Sequence, residues 1–207
     1  QDTIFLTPKA TSLNEVVVSA SKFQQSKKEV PQTIISIDSK AIQFSNPQTS
    51  ADLLSNSGRV FVQKSQLGGG SPLIRGFSTN RLLITVDGVR LNNAIFRGGN
   101  VQNVLSINPF NVENTEIILG SGSVIYGSDA IGGVMNFYTT TPKLSESKTP
   151  NLSARSTVRY ASANTEKTAH LDFNVGFQKW GFHTSASVSD FGDLKMGIHG
   201  PDDYLSL

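Results

Sequence analysis

The chain contains no cysteine among its 207 residues, so disulfides and thiolate metal sites are excluded. It has no run of about 18 apolar residues, so the sequence predicts no transmembrane helix. Charged residues make up only 16% of the composition, and the formal net charge is +2. Because no Lys/Arg stripe or nucleic-acid motif accompanies this weak charge, we expect no nucleic acid among its partners.

Residues that could carry enzyme chemistry are scarce. The three histidines are His170, His183 and His199, and none has metal-ligand spacing with another candidate. The glycine-rich stretch 120–127 lacks the Gly-Lys-Ser/Thr ending of a phosphate-binding loop, and we expect tight turns there with a strand following. The sequence therefore predicts no catalytic residue, no resident cofactor and no metal site.

The first two zones of the chain differ in composition and sequence pattern. Residues 1–30 are polar and broken by Pro8, with one apolar island at Val16–Val18, so we expect a mostly mobile arm. Residues 31–142 mix helix and strand patterns, which predicts a compact α+β domain. The predicted strands are 33–37, 60–63, 72–74, 82–86, 115–119 and 134–138, with helices starting near 38–40 and spanning 46–54.

From about Asn151 the sequence changes to long alternation of apolar and polar residues. Within 168–178 the apolar set is Ala169, Leu171, Phe173, Val175 and Phe177, and the opposite set is His170, Asp172, Asn174, Gly176 and Gln178. A membrane-spanning β-strand needs roughly 9–11 residues in this pattern, but a half-buried soluble sheet alternates in the same way. About three such strands fit before Leu207, whereas a closed barrel needs at least about eight. Membrane strands here would therefore belong to a larger barrel.

A series of short motifs runs in order along nearly the whole chain. They are Glu15–Val18, Asp52–Leu54, Gly58–Val62, Ile74–Phe77, Asn80–Leu83, Val86–Val89, Glu113–Leu119, Ser123–Gly127 and Gly132–Asn136. In this order and spacing the chain resembles a TonB-dependent outer-membrane receptor, from its plug domain into the first strands of its barrel. The run Asn92–Arg97 with Gln102-Asn103 resembles the haem or haemoprotein receptors of that family.

The resemblance implies a mixed α+β plug domain at 31–142. An arm with the TonB box at 1–30 precedes it, and the first antiparallel strands of a transmembrane β-barrel at 151–207 follow. The implied function is energised uptake of a scarce nutrient, an iron complex or haem first, across a bacterial outer membrane, with plug and arm facing the periplasm. The implied partners are the TonB C-terminal domain, outer-membrane lipid and the transported ligand. Cobalamin and glycans stay open as ligands, and the alternative function is a soluble β-rich binding or adhesion module.

The resemblance also assigns roles to individual residues. Glu15, Val16, Val17 and Val18 are implied to bind TonB, because an exposed β-branched run can add to the edge of a partner's sheet. The competing interpretation is that this run is the first strand of the plug. Ligand contact is implied for residues of two loops, with packing against the barrel interior as the alternative. These residues are Gln66, Leu67, Asn80, Phe96 and Arg97.

Arg75, in the Ile-Arg-Gly motif, is implied to lie where plug meets barrel and to pair with a carboxylate. A guanidinium suits that place because it stays charged when desolvated and can bind a carboxylate through two hydrogen bonds. Within this chain the candidate carboxylates are Glu113 and Glu116. Leu119 stands where the family usually has a second Arg, so either Arg75 would act alone or a neighbouring cation would substitute. The competing interpretation is an ordinary surface or intraplug salt bridge.

Overall fold

The computed structural model describes residues 16–19, 25–26, 30–65, 69–78, 81–91 and 103–193. Its strands are β1 (Val16–Val17), β2 (Gln25–Ser26), β3 (Thr33–Asp38), β4 (Phe61–Ser65), β5 (Gly69–Leu73), β6 (Leu82–Val86), β7 (Val89–Arg90), β8 (Val112–Leu119), β9 (Gly133–Thr139), β10 (Asn151–Ala161), β11 (Glu166–Gly176) and β12 (Gly181–Asp190). Its helices are α1 (Ser39–Ser45), α2 (Ser50–Asn56) and α3 (Ser123–Tyr126), with 3-10 turns at Asn103–Ser106, Pro109–Asn111 and Ser128–Ala130. No helix in these described ranges is long and apolar enough to cross a membrane.

A five-stranded sheet in the order β3-β8-β9-β6-β7 organises the α+β domain. Strands β6 and β9 run parallel, and the other neighbouring strands run antiparallel. Strands β8 and β9 lie inside the sheet and are covered on both faces, so the end of β8 at Ile117–Leu119 and most of β9 are apolar. Ile117, Met135 and Phe137 accordingly have no exposed surface.

Helices α1 and α2 begin at strong caps. The Asp38 carboxylate accepts a hydrogen bond from the Ala41 N–H at 2.8 Å, and α1 ends at Asn46 in the left-handed conformation with φ 41°. Thr49 and Asp52 form a reciprocal capping box at the start of α2. Such caps satisfy backbone donors that the first helical turn leaves unpaired. Both helices that the sequence predicted are therefore present, and α2 packs its apolar face into the core under the sheet.

Three long antiparallel strands, β10, β11 and β12, form a second sheet. Its pairing continues without a register shift, with Leu171 opposite Ser156 on one side and Ala186 on the other. One face is polar and lies against the α+β domain, where His170 is 3% exposed and Asn174 is 4% exposed. The alternation predicted for this part of the sequence is thus confirmed. The opposite face carries the exposed apolar side chains Leu152, Val158, Leu171, Phe173, Phe182 and Val188.

Two local predictions differ from the structure. The stretch after Gly120 forms the short helix α3 where a strand was expected. Gly122 directly precedes this helix, and its N–H donates to the Ala130 carbonyl at 2.8 Å. A Cβ at this position would lie 2.6 Å from Val134 Cγ2, so only glycine fits there. Strand β8 also begins at Val112 rather than Thr115, so it is longer than the sequence predicted.

We expect Phe173→Arg to destabilise the full-length protein in lipid vesicles, because Phe173 lies on the exposed apolar face. A cation on a lipid-facing position costs about 2–4 kcal/mol at mid-membrane and less near the interface. Ser153 is the matched control, since it lies one rung away and points to the opposite face, so Ser153→Arg should cost much less. Denaturant unfolding compares the two variants, and equal costs would contradict a lipid-facing surface.

Candidate functional site

The segment Val16–Ser19 is docked on the α+β domain. Strand β1 pairs with Gln25–Ser26 in a two-stranded antiparallel ladder. Val17 has no exposed surface and packs into a small apolar cluster formed by Ile34, Leu83, Ile118, Ala130 and Val134. Burying a Val side chain contributes about 1.5–3 kcal/mol, so Val17 anchors an otherwise short segment.

Glu116 of β8 binds the same segment through its backbone. Its carboxylate accepts from the Val18 N–H at 3.0 and 3.1 Å and from the Ser19 N–H at 2.7 Å. Asn114 donates to the carboxylate from its side-chain amide at 3.4 Å. Glu116 has no exposed surface, and these donors stabilise a charge that burial alone would disfavour.

Two tyrosines complete this site. The Tyr126 hydroxyl donates to the Ser19 carbonyl at 2.9 Å and accepts from the Asn136 side-chain amide at 3.2 Å. Burial raises the pKa of Tyr126 above its usual value, and the nearby charge of Glu116 acts in the same direction, while the Asn136 hydrogen bond opposes it. The pKa of Tyr138 is also raised, by burial first and then by Glu116. Tyr126 therefore stays a neutral hydroxyl that can donate to the segment.

The expectation of an exposed run at Val16–Val18 is wrong for Val17. Three consecutive valines look the same whether they are free or docked, and the residue that docks them is 98 positions away in the sequence. The competing interpretation, that this run is the first strand of the plug, stays a prediction, because β1 pairs only with Gln25–Ser26 among the described residues. Glu15 and the Val16 side chain lie outside the described part of the chain.

A second site lies between the α+β domain and the three-stranded sheet, at Arg159 and Glu166. The two side chains form an ion pair at 2.6 Å and are 8% and 0% exposed. Arg159 also donates to the Pro47 carbonyl at 2.9 Å and to the Asn46 side chain at 3.2 Å. The Gln48 side chain donates to Glu166. This buried pair therefore joins the β10–β11 hairpin to the segment between α1 and α2.

Further contacts between the α+β domain and the three-stranded sheet are aromatic, neutral or made by Arg155, whose guanidinium donates to the Phe110 carbonyl at 3.4 Å. His170 stacks on Phe110 with ring centroids 4.8 Å apart, and the Arg159 guanidinium lies 5.2 Å from the centre of the Phe110 ring. The side chain of Asn174 donates to the Lys143 carbonyl at 3.2 Å and accepts from the Lys143 N–H at 2.9 Å. Similar side-chain hydrogen bonds join Asn108 to Ser187 and Ser185 to Asn111.

The predicted contact residues are placed as follows. Arg75 is exposed, has a positive φ of 50° and forms no ion pair with the described residues. Glu116 lies under the docked segment and not at the boundary between the sheets, so its assignment to that boundary is corrected. Glu113 does lie at the boundary, in a polar cavity of about 210 Å³ that Arg155 and Asp172 also line.

Five predicted ligand-contact residues, Gln66, Leu67, Asn80, Phe96 and Arg97, lie outside the described residues.

The pair Arg159–Glu166 was not predicted from the sequence, because alternation distinguishes a polar face from an apolar one but does not show which polar residues pair. The sequence does carry a signal for this pair, because Arg159 and Glu166 flank the turn between β10 and β11 and lie on the same polar face. Ala161 pairs with Glu166 at the end of this hairpin.

A family model described as the TonB-dependent receptor plug domain matches residues 26–134. The chain belongs to the TonB-dependent receptor family. The α+β domain is the plug of this receptor, and β10 to β12 are the first strands of its barrel. The family consists of receptors and transporters, not enzymes.

Alignments with individual relatives cover most of the chain. The vitamin B12 transporter BtuB of Vibrio vulnificus (strain CMCP6) is 38% identical over 188 residues, which are 89% of this chain and 30% of that protein. The chain therefore spans about 30% of the length of this curated relative. The pyoverdine outer membrane receptor FpvA from Pseudomonas aeruginosa PAO1, bound to pyoverdine, has a TM-score of 0.71 at 16% identity over 85% of this chain and 24% of that chain. The copper transporter OprC has a TM-score of 0.66 at 19% identity over 77% and 24%, and these two likenesses show the fold alone.

We expect Arg159→Ala to destabilise the seating of the plug in the full-length receptor. The substitution leaves Glu166 buried without its cation, which costs about 3–5 kcal/mol. Arg155→Ala is the matched control, on the same strand and face, because the Arg155–Asp172 pair is more exposed and worth about 1 kcal/mol or less. Hydrogen exchange at residues 46–50 measures the difference, and equal protection in both variants would contradict an anchor at Arg159.

Proposed function

We propose that the full-length protein is an outer-membrane receptor that imports a scarce, large nutrient with energy supplied through TonB. The observation that carries this proposal is the plug lying against the polar face of β10 to β12, at the Phe110–His170 and Arg159–Glu166 contacts. A domain seated there closes the lumen of a barrel, which is the arrangement of the large plugged outer-membrane transporters. Uptake through a closed lumen then needs an energy source outside the chain.

The arm is the part of the proposed receptor that would meet this energy source. A β-branched run can add as a strand to the edge of a partner's sheet, and Glu15–Val18 in the arm contains such a run. We assign the arm to residues 1–30, the plug to 31–142 and barrel strands to 151–207. In the outer membrane, plug and arm would face the periplasm, where the TonB C-terminal domain is the partner.

The ligand class is the finer part of the proposal. The relative with 38% identity over most of the chain is a vitamin B12 transporter, which favours a corrinoid as the first ligand to test. An iron complex or haem is the second candidate, because the run Asn92–Arg97 resembles haem receptors. Family membership and the buried arm-docking site argue against the alternative of an unrelated soluble binding or adhesion module.

Uptake of three probes tests the ligand class directly. Cells that express the full-length receptor are supplied with cyanocobalamin, a ferric siderophore or haemin, and accumulation is measured with and without TonB. We expect TonB-dependent accumulation of cyanocobalamin. Accumulation of only an iron probe would transfer the assignment to the second candidate, and equal accumulation without TonB would contradict energised import.

Deletion of residues 15–18 should abolish uptake of the transported probe while leaving its binding at the cell surface. The deletion removes the run that would join the partner's sheet. It also removes Val17 from its apolar cluster, but it leaves the central sheet of the plug and the barrel strands in place. A deletion of equal length at residues 9–12 is the control and should retain uptake. Normal uptake after the 15–18 deletion would place the TonB contact elsewhere.

A further inference from the structure

The segment Pro142–Ser145, which we call the strap, leads from the plug to the barrel strands and lies against their polar face near the turn between β11 and β12. The Asn174 side chain binds both backbone groups of Lys143: it accepts from the N–H at 2.9 Å and donates to the carbonyl at 3.2 Å. The Ser145 N–H donates to the Phe177 carbonyl at 3.1 Å. The Lys143 side chain is exposed, so the barrel strands bind the strap through its backbone.

Two glycines of the barrel strands make room for the strap. Gly176 and Gly181 pair with each other across β11 and β12. A Cβ on Gly176 would overlap the Lys143 carbonyl and lie 3.0 Å from Leu144 Cα. A Cβ on Gly181 would lie 3.0 Å from Pro142 Cβ. Glycine permits such a close approach because it has no side chain, so the two strands form a notch that fits this segment.

The residues just before the strap bind the plug instead. The Thr140 N–H donates to the Asn111 carbonyl at 2.9 Å, and Thr141 donates to the Glu113 carboxylate at 3.4 Å. From Pro142 onward the chain contacts the barrel strands. This change of partner places the structural boundary between plug and barrel at Thr141 and Pro142.

The strap and the seat of the plug lie toward opposite ends of the barrel strands. Asn174 and Glu166 are eight residues apart on β11, which corresponds to about 27 Å. At the Glu166 end, the plug segment Asn46–Gln48 binds Glu166 and Arg159. The strap continues within a few residues into β10 at Asn151, and such a short connection holds it near its notch when a hydrogen bond breaks. The segment Asn46–Gln48 has no comparable connection.

We propose that the strap is a fixed pivot, which stays in its notch while the plug leaves its seat at the Asn46–Gln48 end. Rotation about this point opens the space between plug and barrel wall first at the end that is farthest from the strap. The pivot itself is independent of what the receptor transports. Its use during uptake rests on the proposed function.

Hydrogen exchange in the full-length receptor tests whether strap and seat open separately. Gly176→Ala displaces the strap from its notch, so the backbone amides of Lys143 and Ser145 should exchange about tenfold faster after loss of their hydrogen bonds. Exchange at residues 46–50 should not change. Asn174→Ala is a second variant that releases the strap without adding a side chain, and it should accelerate exchange at Ser145 in the same way.

Ser153→Ala is the matched control for both variants, because Ser153 lies directly opposite Asn174 on β10 and lines the same cavity. It should leave exchange unchanged in the strap and at residues 46–50. Unchanged exchange at Ser145 in both Gly176→Ala and Asn174→Ala would overturn the notch. Equal acceleration of the strap and of residues 46–50 would overturn the pivot, because it indicates that both open as one unit.

The absence of cysteine in this chain allows either attachment to be locked, with any other cysteines of the full-length receptor replaced. Pro142→Cys with Gly181→Cys locks the strap, since the two Cβ positions are 3.0 Å apart and a disulfide needs about 3.5–4.5 Å. Asn108→Cys with Ser187→Cys locks the plug to β12 instead. The two native side chains are in contact at 2.8 Å, so a short bismaleimide can join the cysteines.

Uptake in the locked receptors shows whether the pivot is used. The probe is whichever of cyanocobalamin, a ferric siderophore and haemin the wild type accumulates. The receptor with the locked strap should accumulate it as its reduced form does, whereas locking the plug to β12 should abolish accumulation. Loss of uptake with the locked strap, or normal uptake with the plug locked to β12, would overturn the pivot. If the unlocked receptor shows no TonB-dependent accumulation of any probe, the proposed function fails, and the pivot is then decided by hydrogen exchange alone.

Discussion

A carboxylate with no exposed surface must be surrounded by hydrogen-bond donors, because a buried charge without them is strongly unfavourable. Among the residues that the structure describes, two glutamates are under that constraint, Glu116 and Glu166. Each meets it with donors that come partly from a segment far away in the sequence: the arm for Glu116, and Gln48 with the Asn46–Pro47 turn around Arg159 for Glu166. Hydrogen bonds to two buried carboxylates therefore help to position the arm, the plug and the first barrel strands relative to one another.

The two glutamates differ in what remains when a neighbouring segment moves away. Glu166 keeps Arg159 at 2.7 Å and the Thr168 hydroxyl at 2.6 Å, and both lie on the same hairpin. Glu116 would lose the two backbone donors of Val18 and Ser19 and keep the contacts from the side chains of Asn114 and Tyr138. Glu166 thus keeps a cation when the plug moves, whereas Glu116 keeps only neutral donors when the arm leaves. The arm is held in addition by the burial of Val17 and by the Tyr126 hydroxyl.

Local features of the fold could be predicted from the sequence, and pairings could not. The strand at 82–86, the caps of α1 and α2 and the alternation after Asn151 follow from residues that are neighbours in the chain. Glu116 was expected to meet Arg75 because both belong to motifs, yet its backbone donors Val18 and Ser19 are 98 and 97 positions away, and no local pattern contains that information. Helix α3 was missed because its glycine and serine neighbours favour a turn, and the close approach of Gly122 to Val134 is a tertiary contact that the local sequence does not show.

The plug is held on the barrel strands by hydrogen bonds of two kinds. Some involve the charged side chains of Arg159 and Glu166, and others join neutral amides and hydroxyls, such as Asn108 with Ser187 at 2.8 Å and Ser185 with Asn111 at 2.9 Å. Neutral hydrogen bonds of this kind contribute only about 0.5–1.5 kcal/mol each, since water replaces them when they break. Breaking one such neutral contact therefore costs little. The few buried charges, rather than the extent of the interface, then determine where the plug stays attached.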